Sequence, residues 1–391
     1  MIIAELTAFH VRIPLRRPIR HASHTRTEND TLIVRCRLST GEVGWGEGLP
    51  RQYVTGESIE DCLEILRQTP FRPQLDARIP SLTTAVEMLR DFRLEIAATD
   101  RRDCFGNSVR AAIELSILDA VARFEGVPLA RVTDVAGEPA LRESRQNVQY
   151  STAIMSVKPF KRRMQALAYR LYGFRHCKLK VGVNGIDDTA VVRDCRRWMG
   201  QGIDLRIDAN EAWRCSDLDE KLSPLLPFGI SSVEQPVPHE EVDGLARYRE
   251  RLDVPVMLDE SLCSLTDARR AVDAGTCDLF NIRLSKCGGS LNSLELAALA
   301  RKSGLGYQLG CMVGETGVLS AAGRHFASSV GGIRWVEGSF DRYLVREPLT
   351  DEDLTFGRGG WANALTGPGL GVKIATSRVR SVARREIPLI D

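Results

Sequence analysis

The sequence predicts an α/β protein: a parallel (β/α)8 barrel preceded by an α+β domain and followed by a strand-like tail. Three observations carry this. The first ~50 residues alternate as strands do, and a helical stretch follows to about residue 130. Eight short β-rich segments then recur after residue 145. They end near Ile154, Lys180, Asp208, Glu234, Asp259, Lys286, Gly310 and Glu337, in steps of 26, 28, 26, 25, 27, 24 and 27 residues. One strand, one helix and two loops fill about that length, and eight such units close a barrel.

In the first domain, TLIVRCRLS (31–39) has β-branched runs and TGEVGWGEG (40–48) supplies glycine turn chemistry. SVRAAIELSILDAVARFEG (108–126) spaces apolar residues three and four apart and stops at a glycine. This domain is assigned to residues 1–135. The repeating part, residues 145–360, holds amphipathic patterns such as DLDEKLSPLL and SLTDARRAVDAG between its strands. A doubly wound open sheet is the competing architecture. The count of eight and the lack of a G-x-G-x-x-G fingerprint argue against it. The glycine-rich and then strand-like tail, residues 361–391, is expected to return to the first domain.

Composition narrows the function. At 43% hydrophobic and 27% charged, the chain is an ordinary globular one, and a net charge of +2 gives no support to a nucleic-acid partner. No apolar run reaches the length of about 18 residues that suggests a membrane span. The start lacks the pattern of a secretory leader. Ten scattered cysteines without a C-x-x-C pair suggest reduced thiols and a cytoplasmic protein.

Barrel enzymes place their chemistry at the C-terminal ends of the strands. HCKLKVG (176–182) puts Lys178 and Lys180 on one face of the second strand. Lysine is rarely buried without a partner, and a neighbouring ammonium lowers each lysine's affinity for its proton, toward the working range of a general base. Asp208, Glu234 and Asp259 end the next three strands. Alone, each reads as the cap of a following helix. Together they would repel one another, and a divalent cation resolves the conflict. Three carboxylates without His or Cys suit Mg²⁺ better than zinc. Lys286 is placed on the sixth strand, across the axis from the second, so an amine faces each side of whatever is bound between.

These residues resemble the enolase superfamily, in its muconate-lactonizing-enzyme-like subgroup. The matching motifs are K-x-K (Lys178, Lys180), D-A-N (Asp208, Ala209, Asn210), E-Q-P (Glu234, Gln235, Pro236), D-E-S (Asp259, Glu260, Ser261) and Lys286 in NIRLSKCGG. GWGEGLPRQYVTGES (44–58) and GPGLGV (367–372) also resemble that subgroup. The resemblance covers nearly the whole chain. It implies that the first domain caps the barrel mouth and that one Mg²⁺, with Mn²⁺ able to substitute, is held by Asp208, Glu234 and Asp259. It implies that a small carboxylate substrate passes through an enediolate, with Lys180 and Lys286 as acid and base. Lys178 would tune Lys180, and Asn210 and Glu260 would orient ligands or amines. Relatives are commonly oligomeric, which implies a homo-oligomer.

Three reactions of the subgroup share these residues: racemisation or epimerisation, muconate-type cycloisomerisation, and syn dehydration as in o-succinylbenzoate synthesis. The V-T-G-E-S region favours the first. GCMVGETG places Glu315 one position later than the subgroup has its acidic residue. The dipeptide epimerases carry D-x-D on the eighth strand to hold an amino group; here Glu337 and Ser339 stand there, and Glu337 is expected to read a cationic group. His21 and His24, in a polar loop expected to reach over the mouth, complete the candidate substrate contacts.

Overall fold

The computed structural model describes residues 1–20, 25–96, 100–155 and 158–391. The first domain is built on a four-stranded antiparallel sheet. Its strands are β1 (Ile3–Arg20), β2 (Thr25–Leu38) and β3 (Val43–Gly48). A two-stranded ribbon joins β4 (Asn147–Gln149) to β13 (Trp361–Asn363). The tail forms β14 (Ala383–Ile390), which pairs antiparallel with β1 and completes the first sheet in the order β14-β1-β2-β3.

The second sheet is parallel and eight-stranded. In order it runs β5 (Thr152–Ile154), β6 (His176–Lys180), β7 (Asp204–Asp208), β8 (Ile230–Glu234), β9 (Val256–Leu258), β10 (Leu279–Ile282), β11 (Gly306–Leu309) and β12 (Ile333–Val336). Its two ends meet: the Ser151 N–H donates to the Val336 carbonyl at 2.7 Å, and Tyr150 bridges Val336 in parallel. The eight strands therefore form a barrel, in which β6 and β10 lie opposite each other.

The strand V-G-W-G-E-G is shaped by the helix Asn107–Phe124 that lies on it. A Cβ at Gly44, Gly46 or Gly48 would sit 2.2, 2.0 or 1.9 Å from the carbonyl oxygen of Ser116, Ala112 or Ser108. Two residues of strand advance about 6.7 Å and four residues of helix about 6 Å, so the alternating glycines keep pace with every fourth helical residue. The intervening Glu47 belongs to the other face.

Buried carboxylates of the first domain hold the barrel helices. Glu47 accepts from the N–H groups of Thr316 (2.9 Å) and Leu319 (3.1 Å) at the start of the helix Gly317–Ser329. Glu114 accepts from those of Ser290 (2.5 Å) and Leu291 (3.2 Å) at the start of the helix Ser290–Lys302. Each satisfies amide donors that no turn of helix can satisfy. Gly289, at φ +109°, lets the first turn approach: a Cβ there would lie 2.5 Å from the Glu114 carboxylate.

Burial pushes Glu47 and Glu114 up to about 7, against the opposing pull of those amides. Both hold a proton more tightly folded than unfolded. Their contribution to stability is therefore full below about pH 4.5 and is lost as pH rises through about 7. Calorimetry should show a melting temperature that falls between pH 5 and pH 8, with a shallower slope in Glu114→Gln. An unchanged slope in that variant would contradict the assignment. In denaturant titrations Gly46→Ala should lose about 3 kcal/mol, because only backbone stands where its methyl would go.

Candidate active site

The inward face of the barrel carries charge near its C-terminal end, and strand register sets the order. Lys178 pairs with Arg206, and Lys180 with Asp208, between β6 and β7. Asp208 pairs with Glu234 between β7 and β8. Asp259 directly follows β9. The alternate residues of β6, Cys177 and Leu179, point into the packed layer and are buried. Lys286 is not on a strand: it lies four residues beyond the end of β10, in the turn that leads into the helix Ser290–Lys302. The sequence expectation that placed it on the sixth strand is corrected in that detail. It still sits on the β10 side, opposite β6.

Ion pairs knit the cluster. Lys178 Nζ lies 3.2 Å from Glu234, 2.9 Å from Glu337 and 3.6 Å from Asp208. These three carboxylates outweigh the burial penalty on the ammonium and hold its pKa well above the usual lysine value. Lys286 is fully buried, and its Nζ donates to the Asp259 carbonyl (2.7 Å), the Asp259 carboxylate (2.9 Å) and the Asn281 carbonyl (2.8 Å). Arg283 donates to Asp259 and lies 3.7 Å from Glu234. Burial alone would raise Asp259; Arg283 and Lys286 outweigh it and hold its carboxyl below the usual range. Burial raises Asp208 and Glu234 despite Lys178.

The motif partners tie the three carboxylate segments to one another. Asn210, in the left-handed region at φ +43°, places its N–H on Asp208 at 3.0 Å and its amide on Glu260 at 3.3 Å. Gln235, at φ +36°, accepts from the N–H groups of Asp259 (2.9 Å) and Ser261 (3.1 Å) and donates to Ser261 Oγ at 2.6 Å. Asn107 of the first domain donates to the carbonyls of Lys286 (2.7 Å) and Cys263 (2.8 Å), so that domain positions the turn bearing the lysine.

A divalent cation fits this donor set in chemistry and in register. Three buried carboxylates stand on or just beyond consecutive strands, and neighbouring ones share a single cationic group: Lys178 between Asp208 and Glu234, Arg283 between Glu234 and Asp259. Among the described residues, no three His, Cys, Asp or Glu side chains converge as they stand tightly enough to hold an ion. The lysine and arginine supply the opposing charge instead.

Above the cluster is a cavity of about 440 Å³, a usual size for a small-molecule site. Lys178, Lys180 and Asp208 line it from the barrel, and Arg26, Tyr53 and Val54 from the first domain.

Family models match both parts of the chain. "Enolase C-terminal domain-like" covers residues 161–378, and "Mandelate racemase / muconate lactonizing enzyme, N-terminal domain" covers residues 3–132. The chain belongs to this family. It is an enolase-superfamily enzyme of the isomerase type. L-Ala-D/L-Glu epimerase of Bacillus subtilis is 29% identical over 378 residues, covering 95% of this chain and 97% of the relative. The crystal structure of N-succinyl Arg/Lys racemase from Bacillus cereus superposes with a TM-score of 0.86 at 25% identity, covering 99% of this chain and all of that one. That of a dipeptide epimerase from Cytophaga hutchinsonii, complexed with Mg and D-Ala-L-Val, gives 0.83 at 23% identity, covering the whole of both chains.

Within this enolase-superfamily site, the sequence-derived residues sort unevenly. Lys178, Lys180, Asp208, Asn210 and Glu260 line the cavity, and Glu234, Asp259 and Lys286 are buried beneath them. Glu315, after β11, lines it too and accepts from the Met312 N–H at 3.2 Å; burial raises its carboxyl well above the usual range. Glu337 reaches the cavity but is held by Lys178 (2.9 Å) and Arg206 (3.2 Å), so its charge is already matched inside the protein. That commitment leaves little of it to read a cationic ligand. His21 and His24 lie outside the described residues.

Arg206 and Arg283 were missed by sequence reasoning, yet each had a signal. Arg206 is two residues before Asp208 on β7, and Arg283 two after Asn281 at the end of β10, so each shares its neighbour's inward face. Arg206 is fully buried over the Trp335 ring, 4.6 Å from its centroid. Arg206→Met should therefore cost about 3–5 kcal/mol in denaturant titration by leaving Glu337 half-paired. Adding Glu337→Gln should recover part of that; strict additivity of the two losses would show that they do not interact.

Proposed function

We propose that the protein is a Mg²⁺-dependent racemase or epimerase acting on an amino-acid or dipeptide-like carboxylate, with Mn²⁺ able to replace Mg²⁺. The observation that carries this reading is the placement of Lys180 and Lys286 on opposite sides of the barrel axis, with the three carboxylates ordered between them. A planar carbanion formed between two amines is protonated from either face, and that is what inversion at a carbon requires. The names of the relatives support the same class of reaction, and the magnesium of the Cytophaga hutchinsonii complex supports the choice of ion.

Asp208, Glu234 and Asp259 would hold the ion, which supplies positive charge against the negative charge that builds on the substrate carboxylate. Lys180, facing the cavity, takes the proton from the α-carbon or returns it on one face. Lys286 does the same on the other, its amine pinned by Asp259 and Asn281. Lys178 keeps a fixed ammonium beside the carboxylates, which orients the substrate carboxylate and presses on Lys180. Arg26, Tyr53 and Val54 close the cavity from the first domain and keep water from the carbanion.

Incubation with Mg²⁺ in D₂O and pools of dipeptides, N-acyl amino acids and small diacids, followed by mass spectrometry, tests this directly. Deuterium should enter at an α-carbon. Lys180→Ala and Lys286→Ala should each abolish racemisation while calorimetric Mg²⁺ binding persists. Full turnover in either variant would refute the two-base scheme, and consumption of a muconate without α-exchange would favour cycloisomerisation instead.

A further inference from the structure

Two thiols meet where the first domain seats on the barrel, and the proton chemistry uses neither. Cys104 belongs to the first domain, and Cys263 to the segment that leaves β9. Both are buried, and both are free thiols. Their sulfur atoms lie under consecutive peptide groups of the loop that overhangs the cavity. Cys263 Sγ is 3.6 Å from the Val54 carbonyl, and Cys104 Sγ is 3.8 Å from that of Thr55. The Cys104 thiol also donates a hydrogen bond to Cys263.

Polar contacts clamp the junction on both sides of this pair. Arg102, two residues before Cys104, donates to the Glu260 carbonyl at 2.6 Å and forks onto Asp267 at 2.8 and 3.1 Å. Ser264, next to Cys263, donates to the Arg102 carbonyl. Asn107, three residues after Cys104, donates to the Cys263 carbonyl at 2.8 Å. The two backbones are thus held together where the sulfur atoms meet, as a bridge requires. Cys104 also lies beneath a surface turn, since Arg101 and Asp103 on either side of Arg102 are exposed or nearly so. A local opening of that turn admits a small oxidant without global unfolding.

The pair is chemically asymmetric. Burial alone would raise the Cys263 thiol; the hydrogen bond from Cys104 and the charges of Lys286 and Arg102 outweigh it and hold it below the usual value. Burial instead pushes Cys195 and Cys277 up to about 12 and Cys287 up to about 11. Cys263 also directly precedes Ser264, the N-cap of the helix Leu265–Ala274, where the first amides favour a negative charge. Cys104 is raised, by its hydrogen bond to Cys263 and then by burial. A sulfur inclined to the thiolate, beside a thiol that keeps its proton, suits an attacking and a resolving cysteine.

We propose that Cys104 and Cys263 form a redox-active dithiol, which a hydroperoxide converts to a disulfide joining the two domains beside the cavity. The Cys263 thiolate attacks one peroxide oxygen and the O–O bond breaks. A sulfenic acid forms, and the hydroxide released takes the proton that the thiol gave up. The Cys104 sulfur then displaces hydroxide from the sulfenic acid, and its own proton completes a second water. The two thiols lose two electrons and two protons, and one hydrogen peroxide becomes two waters. The disulfide fastens the first domain to the barrel. It also removes the S–H donors beneath the Val54 and Thr55 carbonyls, so the overhanging loop loosens as the junction tightens. This device does not depend on which carboxylate the site accepts.

The test is a titration of the full chain with hydrogen peroxide, read by mass spectrometry of a non-reducing peptide digest. The Cys104–Cys263 bridge should be the first oxidation product, with the loss of two hydrogens, and dithiothreitol should reverse it. The oxidised protein should melt higher by about 3 °C or more. Amides of residues 53–56 should exchange with D₂O at least about threefold faster than in the reduced protein. Cys104→Ser should divert Cys263 to sulfinic acid, and Cys263→Ser should leave Cys104 reduced at the same peroxide dose. Earlier oxidation of any other cysteine, or oxidation of Cys263 in the unaltered protein without a bridge, overturns the proposal, and neither result needs a variant that folds. A bridge that leaves exchange in the loop unchanged overturns its influence on the cavity.

Discussion

A buried charge has to be answered by another, and the mouth of this barrel is organised around that requirement. Three carboxylates stand in the low-dielectric end of an eight-stranded barrel, where isolated anions would be driven to protonate. Lys178, Arg283 and Lys286 answer them, and Arg206 answers Glu337. Lys178 and Arg206 are placed by strand alternation, so the pleat that builds the barrel also sets part of the electrostatic pattern, while Arg283 and Lys286 are placed by the segment that follows β10. A site of this kind is assembled before any ligand arrives, which is the condition for charge stabilisation without reorganisation.

The first domain meets the barrel by an equivalent device at lower charge density. Glu47 and Glu114 reach across to amides that open two barrel helices, and Arg102 joins the barrel's Asp267 at 2.8 Å. These contacts are directional, unlike the apolar packing around them, and they fix the angle at which Tyr53 and Val54 overhang the cavity. Packing alone would hold the domain; the carboxylates determine where.

Much of this was legible in the chain because the barrel repeats at a nearly constant interval and its polar strand ends fall at fixed points in that interval. Asp208, Glu234 and Asp259 stand on or just beyond consecutive strands for that reason. Lys286 shows where the reading by period loses accuracy: β10 ends at Ile282, and the lysine belongs to a turn whose course is set by Asn107, a residue far off in sequence. The period-two signal of Arg206 was easy to pass over because a charge inside a strand resembles an exposed face until the partner strands are known, and Arg283, just past the end of β10, resembled loop polarity.

The glycines of β3 have a consequence for how such proteins diversify. The helix Asn107–Phe124 rests directly on strand backbone at Gly44, Gly46 and Gly48, and its first residue holds the carbonyl of Lys286. No side chain lies between them to absorb a shift, so the seating of that helix is transmitted to the turn that bears the lysine. Exchanging the first domain for that of a relative, to borrow its ligand preferences, would also exchange the part that seats a proton-transfer group. Recombination can graft the overhanging loops freely, but its junctions have to leave this helix, its glycine strand and the barrel together as one inherited block.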